Sequence, residues 1–459
     1  MRNILLVEPD YRSKFPPLGL MRISTYHKGI GDTVSFVRGK VSKLREARWH
    51  RIYISSLFTY ELPRTVETIK YYAKSVEKPA DILVGGIGAT LLPQYIKDRV
   101  KCQVIEGPLD QPNMLGPGTP VIAKSVPDYD MIASVNWKYK PEDSYFCRIT
   151  KGCIRKCKFC AVPILEPAFG YSSSVGEQIG EVKEQFGERQ NLVLMDNNVL
   201  ATDGLGAIIK DIRDQGFEAG AIRNNRQRNV DFNQGIDARL VTPKVAQLLS
   251  TICLSPIRLA FDYDGIEKQY RQAIRLLAQN GFRECTNYIM FNFNDTPLSF
   301  YNRMKVNLEL SRQLDIRVTG FPMRYVPIKD VNRRFVSEGW RWRHLRGIQC
   351  VLAATHGMVT PNPGFFATAF GETYEEFLEI LSMPDRYIIY RSHFRKEAGY
   401  WKRLFRRLSS TDREEFLAVL AKLNKSKTRK ADIATERRFR SLIEHYYPNG
   451  ELPSNRTAN

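Results

Sequence analysis

The chain has 459 residues, 43 % of them hydrophobic, and a formal net charge of +20. That hydrophobic share supports sizeable cores and excludes wholesale disorder, and no stretch approaches the ~20 consecutive apolar residues that a membrane span needs. The opening MRNILLVEPDYR carries too short an apolar run for a secretory leader, so the expectation is a cytoplasmic protein.

Residues 1–125 alternate short apolar runs with amphipathic stretches. Strands are predicted at Asn3–Glu8, Thr33–Val37, Arg51–Ser55, Asp81–Gly85 and Cys102–Glu106, and helices at Leu18–Gly29, Leu62–Val76 and Leu91–Val100. This alternation is that of an α/β fold with a doubly wound, flavodoxin-like parallel sheet, whose ligands bind beyond the carboxyl ends of the strands. Those ends carry Pro9-Asp10, Ser55-Ser56, Gly85-Gly86-Ile87-Gly88 and Gly107. Residues 126–144 continue a Pro-, Gly- and Asp-rich stretch and read as a linker.

Residues 145–335 repeat the strand-then-helix rhythm in units of about thirty residues, the pattern of a partial (β/α)6 barrel. Strands are expected at Tyr145–Thr150, Leu192–Asp196, Phe232–Ile236, Ile257–Phe261, Thr286–Phe291 and Ile316–Pro322. In parallel barrels the chemistry sits at the carboxyl ends of the strands. Residues 336–459 lose the rhythm and form a basic, mainly helical region, with helices at Glu375–Ser382, Glu414–Leu423 and Glu436–Tyr446 and a frayed tail after Pro453. From Arg391 onward, seventeen Lys and Arg stand against eight Asp and Glu. Such an excess suits a polyanionic partner such as nucleic acid as well as a merely solvated surface.

Three of the eight cysteines, Cys153, Cys157 and Cys160, fall within eight residues directly after the first barrel strand. Soft thiolates at this density suit zinc or an iron–sulfur cluster better than disulfides in a reducing compartment. A zinc site needs a fourth ligand, for which Cys147 is the nearest thiol, but Cys147 lies inside a predicted strand. A bare C-x-x-C redox pair lacks thioredoxin-like surroundings. A three-thiolate loop leaves one iron of a cubane open to chelate a further ligand.

The segment Lys151-Gly-Cys-Ile-Arg-Lys-Cys-Lys-Phe-Cys-Ala-Val-Pro163, with Phe159 before its third cysteine, resembles the radical S-adenosylmethionine (SAM) superfamily. The resemblance implies that Cys153, Cys157 and Cys160 hold a 4Fe-4S cluster. It also implies that SAM chelates the open iron and is reductively cleaved to a 5′-deoxyadenosyl radical, with the electron coming from a reductase such as flavodoxin or ferredoxin. The radical would then modify an unreactive carbon, with methyl transfer as one outcome. Asp196-Asn197-Asn198 after the second strand resembles the family segment that meets the SAM amino group. Asp237 and Arg239, two apart at the third strand's end, point the same way on a strand, which suits the ribose hydroxyls and the SAM carboxylate as well as an ion pair. Arg258 and Asp262 on the fourth strand are further candidates. Tyr288–Thr296 resembles the fifth strand and its loop but has Asn where glycine and proline are usual.

Pro16-Pro17-Leu18-Gly19-Leu20 and Val84–Thr90 resemble the cobalamin-binding domain that precedes many such barrels. Glycines at 85, 86 and 88 would let a nucleotide-like tail approach the backbone. The Asp-x-His-x-x-Gly motif that supplies a cobalt ligand is absent, and neither His27 nor His50 fits it, so bound cobalamin and a cap that kept the fold both stay open. Two other readings are a methylthiotransferase-like modifier of RNA or protein, and a non-catalytic nucleic-acid module with a structural metal. The former carries a second cysteine trio, but here only Cys102 precedes residue 147. Secondary candidates are Trp340-Arg-Trp342-Arg-His344 as a base-stacking surface, Arg223–Arg228 and His356 on loops, and Lys402, Arg403, Arg406 and Arg407 as a basic helical face.

Overall fold

The computed structural model describes residues 1–425 and 437–447. The tail after Pro453 and the start of the helix expected from Glu436 lie outside the described residues. No helix among those described is long and apolar enough to cross a bilayer.

The first sheet is built from β1 (Asn3–Glu8), β2 (Thr33–Arg38), β3 (Arg51–Ser55), β4 (Ile82–Gly85) and β5 (Gln103–Val104) in the order β2-β1-β3-β4-β5, all parallel. This order reverses between β1 and β3, the doubly wound arrangement expected from the rhythm. β1 is buried almost throughout because it lies inside the sheet with both faces covered. Its Leu5 and Val7 join Ile52, Ile54, Ile82 and Val84 of the neighbouring strands in one core with Leu62, Ile69 and Tyr72 of the helix Leu62–Tyr72.

Further along the same unit come β6 (Ser144–Cys147), a short antiparallel pair β7 (Thr150–Lys151) and β8 (Gly170–Tyr171), then β9 (Asn191–Leu194). A hairpin of β10 (Ile222–Arg223) and β11 (Arg226–Gln227) precedes β12 (Val230–Phe232). β6, β9 and β12 form a parallel sheet in the order β12-β9-β6. β13 (Ile257–Ala260), β14 (Glu284–Phe291) and β15 (Arg317–Arg324) form a second, ordered β13-β14-β15. Helices Val175–Phe186, Leu205–Ile212, Pro243–Leu249, Glu267–Gln279 and Pro297–Leu314 alternate with these strands, as the periodicity predicts.

The chain divides into two compact units. One holds residues 1–258 and 326–334, the other 259–325 and 335 onward, so the division falls inside β13 after Arg258. In the second unit Arg303, 1 % exposed, donates to the carbonyls of Phe261, Asp262 and Met290 at 3.0, 2.8 and 2.7 Å and to Asp295 at 2.5 Å. One buried guanidinium thereby fixes the ends of β13 and β14. The helical region packs Trp401 on Phe405 and buries Phe366, Phe377, Phe416 and Leu420 with them.

Three of the five residues of the Trp340–His344 segment are core, while Arg341 is exposed and Trp342 half-buried. Trp340 is buried and donates to Asp295 at 2.9 Å, while Arg343 and His344 are buried on the helix Trp342–Ala354. Arg343 pairs with Asp385 at 2.8 Å. Burial and the neighbouring Arg343 and Arg341 push His344 down to about 3. In the unfolded chain this imidazole titrates near its ordinary value, so between about pH 6.5 and 3 the unfolded state binds the extra proton and folding weakens as pH falls. We expect the urea midpoint of the full chain to drop on acidification through this window. His344→Leu should remove about 1.4 kcal/mol per pH unit of that slope. An unchanged slope in the variant would show that His344 titrates normally in the fold.

Candidate functional site

The site starts where β6 ends. β6 is fully buried, and Cys147 on it is a core residue, its thiol pushed well above the ordinary value by burial. Cys147 is therefore paired in register with Leu194 of β9 rather than offered as a fourth ligand from an exposed loop. Two residues later the chain turns under the control of Asp196. This carboxylate, 4 % exposed, accepts from the amides of Ile149 at 3.1 Å and Thr150 at 2.5 Å and from the Thr150 hydroxyl at 2.7 Å. Burial outweighs these bonds and holds the carboxyl above its ordinary value. Asp196 is thus occupied in shaping the turn that leads into the cysteine segment.

Residues 152–169 form a loop pinned at its base by the β7–β8 pair, with Thr150 opposite Tyr171 and Lys151 opposite Gly170. Gly152 lies at φ +72°, and a Cβ there would stand 2.2 Å from the Ala168 carbonyl oxygen. Only glycine combines that left-handed backbone with so close an approach of the loop's two ends. The Gly152 amide donates to Glu166 Oε2 at 2.7 Å. The same oxygen accepts from Asn197 Nδ2 at 2.9 Å, and Arg148 pairs with Oε1.

Within this frame Cys153, Cys157 and Cys160 are all partly accessible, unlike the buried Cys147, Cys253, Cys285 and Cys350. Phe159 is half-buried between the second and third of them. Hydrogen-bond donors face two of the sulfurs. Arg155 N lies 3.3 Å from Cys153 Sγ, Val162 N 3.4 Å from Cys160 Sγ, and Asn198 Nδ2 3.5 Å from Cys153 Sγ. Asn198 is itself buried, and its Oδ1 has no hydrogen-bond partner. Among the described residues no three His, Cys, Asp or Glu side chains are gathered closely enough to hold a metal ion, so the thiols share a loop without converging. The chemistry of the donor set nonetheless fits an iron–sulfur cluster. Three thiols lie on one constrained loop, with N–H groups directed at the sulfurs, a feature that tunes such clusters.

Asp237 and Arg239 require a correction. They do not project from a strand. β12 stops at Phe232, Gly235 takes φ +82°, and Asp237 caps the turn Ala238–Leu240. From the cap its carboxylate accepts from Arg239 N at 3.1 Å and pairs with the Arg239 guanidinium at 2.6 and 3.0 Å. Its Oδ2 also accepts from Arg155 Nε of the cysteine loop at 3.0 Å. Burial alone would raise this carboxyl, but Arg239 and Arg155 outweigh it and hold it below the ordinary value. Arg258, the fourth-strand candidate, forms a two-pronged pair with Asp231 at 2.7 and 2.8 Å.

In the second unit, Asn292 after β14 takes the left-handed conformation that a glycine would otherwise supply. It sits at φ +69°, fully buried, with its amide donating to the Tyr325 and Phe335 carbonyls and accepting from Ser337 N. Asn tolerates this left-handed region better than most residues.

The glycine loop of the first sheet is also explained by packing. A Cβ on Gly86 would stand 2.6 Å from the Ser56 carbonyl oxygen, and one on Gly88 2.7 Å from Ser56 Oγ, so the loop after β3 occupies the space these glycines leave. His27 is buried between Asp32 and Tyr53, and His50 Nδ1 accepts from Asn3 N. Ser56 thus takes up the space beside Gly86 and Gly88, and both histidines of this sheet's segment are engaged within the protein. The helix Ile87–Leu91 that this loop begins does lie against Val162–Leu165 of the cysteine loop, and Lys151 pairs with Asp110 at 3.4 Å.

The secondary candidates are placed elsewhere. Arg223–Arg228 is the β10–β11 hairpin, with Asn224 and Asn225 both at positive φ, as a two-residue hairpin turn requires. Its arginines pair with Glu188 and Asp143, which precede β9 and β6 and so lie at the opposite strand ends from the cysteines. His356 is an exposed turn residue at φ +54°. Arg406 and Lys402 share Glu379. Sequence reasoning missed Glu166 and Arg155, since a lone charge in a loop carries no spacing signal.

The closure at Gly152 generates a direct expectation. Gly152→Ala imposes a left-handed alanine, costing about 1–2 kcal/mol, together with an overlap costing about 1–3 kcal/mol. Iron retained after anaerobic reconstitution should fall several-fold in this variant while the thermal midpoint of the second unit holds. Full iron content would mean that the loop closes without the Gly152–Ala168 approach.

No protein-family model and no curated protein matches the chain. Among solved structures it is similar to a cobalamin-dependent S-adenosylmethionine radical enzyme, OxsB, with aqua-cobalamin bound. The identity is 13 % and the TM-score 0.51, over 72 % of this chain and 54 % of that one. The apo form of that enzyme aligns at 12 % identity and a TM-score of 0.46, over 97 % and 76 % of the two chains. In the first of these alignments the chain spans about half the length of its neighbour. At this identity the likeness is one of architecture: the chain has the α/β fold of a cobalamin-dependent radical SAM enzyme, here an N-terminal doubly wound sheet, two three-stranded sheets with alternating helices, and a helical C-terminal region.

Proposed function

We propose that this protein is a radical SAM enzyme that modifies an unreactive carbon. The observation that carries the reading is the pairing of Cys153 with Asn198. A partly accessible thiol on a pinned loop receives the Asn198 amide, while the Asn198 carbonyl oxygen is left buried and without a partner. A buried acceptor beside a soft ligand is costly to leave unmade, and an N–H of a bound amino group would satisfy it. A 4Fe-4S cluster, when bound, supplies an open iron for the SAM amino and carboxylate groups and the electron for cleavage to a 5′-deoxyadenosyl radical.

The protein's own residues do the holding and shielding. Cys153, Cys157 and Cys160 are the ligands. Asn198 would orient the SAM amino group by accepting an N–H through Oδ1, and Asn197 is fixed beside it by Glu166. Asp196 holds the turn from β6 into the loop. Asp237 and Arg239 stand in the capped turn beyond β12, where Arg155 ties Asp237 to the cysteine loop; opening of the Asp237–Arg239 pair would free Arg239 for the SAM carboxylate and Asp237 for the ribose. Phe159, half-buried within the loop, limits water at the thiols. The exposed Lys156 and Lys158 suit an acidic one-electron donor such as a flavodoxin or ferredoxin. Methyl transfer through cobalamin finds no support in the first sheet, so no step is assigned to it.

Two measurements test this reading. Replacing Cys153, Cys157 and Cys160 together with Ala should abolish the brown absorbance, the binding of about four iron atoms and all SAM cleavage. Cys253→Ala, Cys285→Ala and Cys350→Ala should retain them, since those thiols are buried. Four iron atoms in the triple variant would overturn the ligand assignment, and zinc in place of iron and sulfide in the wild type would overturn the enzyme reading. The second concerns Asp237→Ala with Arg239→Ala. This pair should weaken SAM binding about tenfold or more with iron retained. Unchanged affinity would reduce both residues to a structural ion pair. Product analysis by mass spectrometry, with cobalamin present and absent, identifies the outcome of the radical attack.

A further inference from the structure

We infer that Glu166 is a positioning residue, the clamp that joins the far end of the cysteine loop to the Asn197-Asn198 segment and so sets the contact between Cys153 and Asn198. The inference rests on the reading of this site as a cluster and SAM site. Glu166 is the single acidic residue between Lys151 and Gly170, in a loop that also carries Arg155, Lys156 and Lys158. Simple charge balance would leave it in water beside those cations. Instead its side chain is 13 % exposed and pairs with Arg148. One carboxylate oxygen accepts from the Gly152 amide at 2.7 Å and from Asn197 Nδ2 at 2.9 Å, and the other pairs with Arg148. The three partners belong to three different pieces of chain: the residue just before Cys153, the segment after β9, and the segment after β6.

Two carboxylates thus divide the work. Asp196 holds the way into the loop through Ile149 and Thr150, and Glu166 holds the way out. Gly152, pressed against the Ala168 carbonyl, has no freedom of its own to compensate. Asn197 is bonded to Glu166, and its neighbour Asn198 donates to Cys153 Sγ. Releasing Asn197 therefore loosens both the N–H···S contact and the unpartnered Asn198 oxygen. Partners one step removed from metal ligands typically change affinity or activity by about 10–100-fold when lost, and hydrogen bonds to cluster sulfurs set reduction potential.

The test uses Glu166→Ala, Glu166→Gln and Asn197→Ala in the full chain. In the iron-free protein the Gly152 amide should exchange with deuterium about tenfold faster or more in Glu166→Ala, with the overall thermal midpoint retained. After reconstitution, Glu166→Ala should bind SAM about tenfold more weakly. Its cluster midpoint potential should move to more negative values, because a donor to Cys153 sulfur is lost. Glu166→Gln keeps an acceptor oxygen for Gly152 and Asn197 and should restore most of both. If Glu166→Ala does not fold, Asn197→Ala removes the other end of the clamp and should show the same two losses. Unchanged SAM affinity and unchanged potential in the alanine variants would overturn the inference while leaving the wild-type cluster reading intact. If the wild type takes up no 4Fe-4S cluster, that reading fails separately, and unchanged Gly152 exchange in Glu166→Ala would still overturn the clamp.

Discussion

A loop carrying three thiols cannot hold itself together. Its few internal backbone bonds lie near the second and third cysteines and in the short helix Val162–Leu165, its cations repel one another, and the polar groups near Cys153 find partners outside it. The buried carboxylate of Asp196 is the interaction on which the rest of this site depends. It gathers two amides and a hydroxyl from Ile149 and Thr150 at the point where β6 gives out. Without that turn neither the β7–β8 pair nor the Gly152 closure has a starting geometry. Its position after β9 also explains why the cysteine loop and the Asn197-Asn198 segment are neighbours at all: adjacent parallel strands deliver their carboxyl ends to the same place.

The surrounding charges follow a common pattern. Arg155, Arg148 and Arg239, which sequence alone would assign to solvent or to ligand, are each turned onto a carboxylate: Asp237, Glu166 and Asp237 again. These pairs connect separate pieces of chain rather than decorate a surface, and a partly buried pair of this kind is costly to break from one side. The net charge of +20 therefore overstates the free basic surface near the site. Further along, Arg303 and Arg343 are buried and fully engaged in the second unit, and Trp340 and His344 are core.

The glycine positions separate packing from ligand binding. Gly85-Gly86-Ile-Gly88 has the composition of a nucleotide loop, yet Ser56 fills the space beside Gly86 and Gly88. Asn292 shows the converse: a non-glycine residue holds a left-handed turn, and its side chain bonds the loop it turns. A glycine motif records a backbone demand, and only the neighbours tell whether a ligand or another strand makes it.

Periodicity by itself determined the alternation of strands and helices, because burial of one face of each element imposes spacings of two and 3.6 residues that survive in a single chain. It also located the cysteine loop after the first barrel strand, since three thiols in eight residues are far from core composition. What tertiary structure alone decided is what each polar side chain faces. β12 ends at Phe232 rather than Ile236, because Gly235 turns the chain against Arg258, and this moves Asp237 and Arg239 from a strand to a capped turn. Glu166 left no trace in the sequence, for its partners Gly152, Arg148 and Asn197 lie fourteen, eighteen and thirty-one residues away and meet it only when the loop closes. Local spacing encodes local periodicity; a hydrogen bond between distant segments depends on how the segments are brought together, which no spacing within either one records.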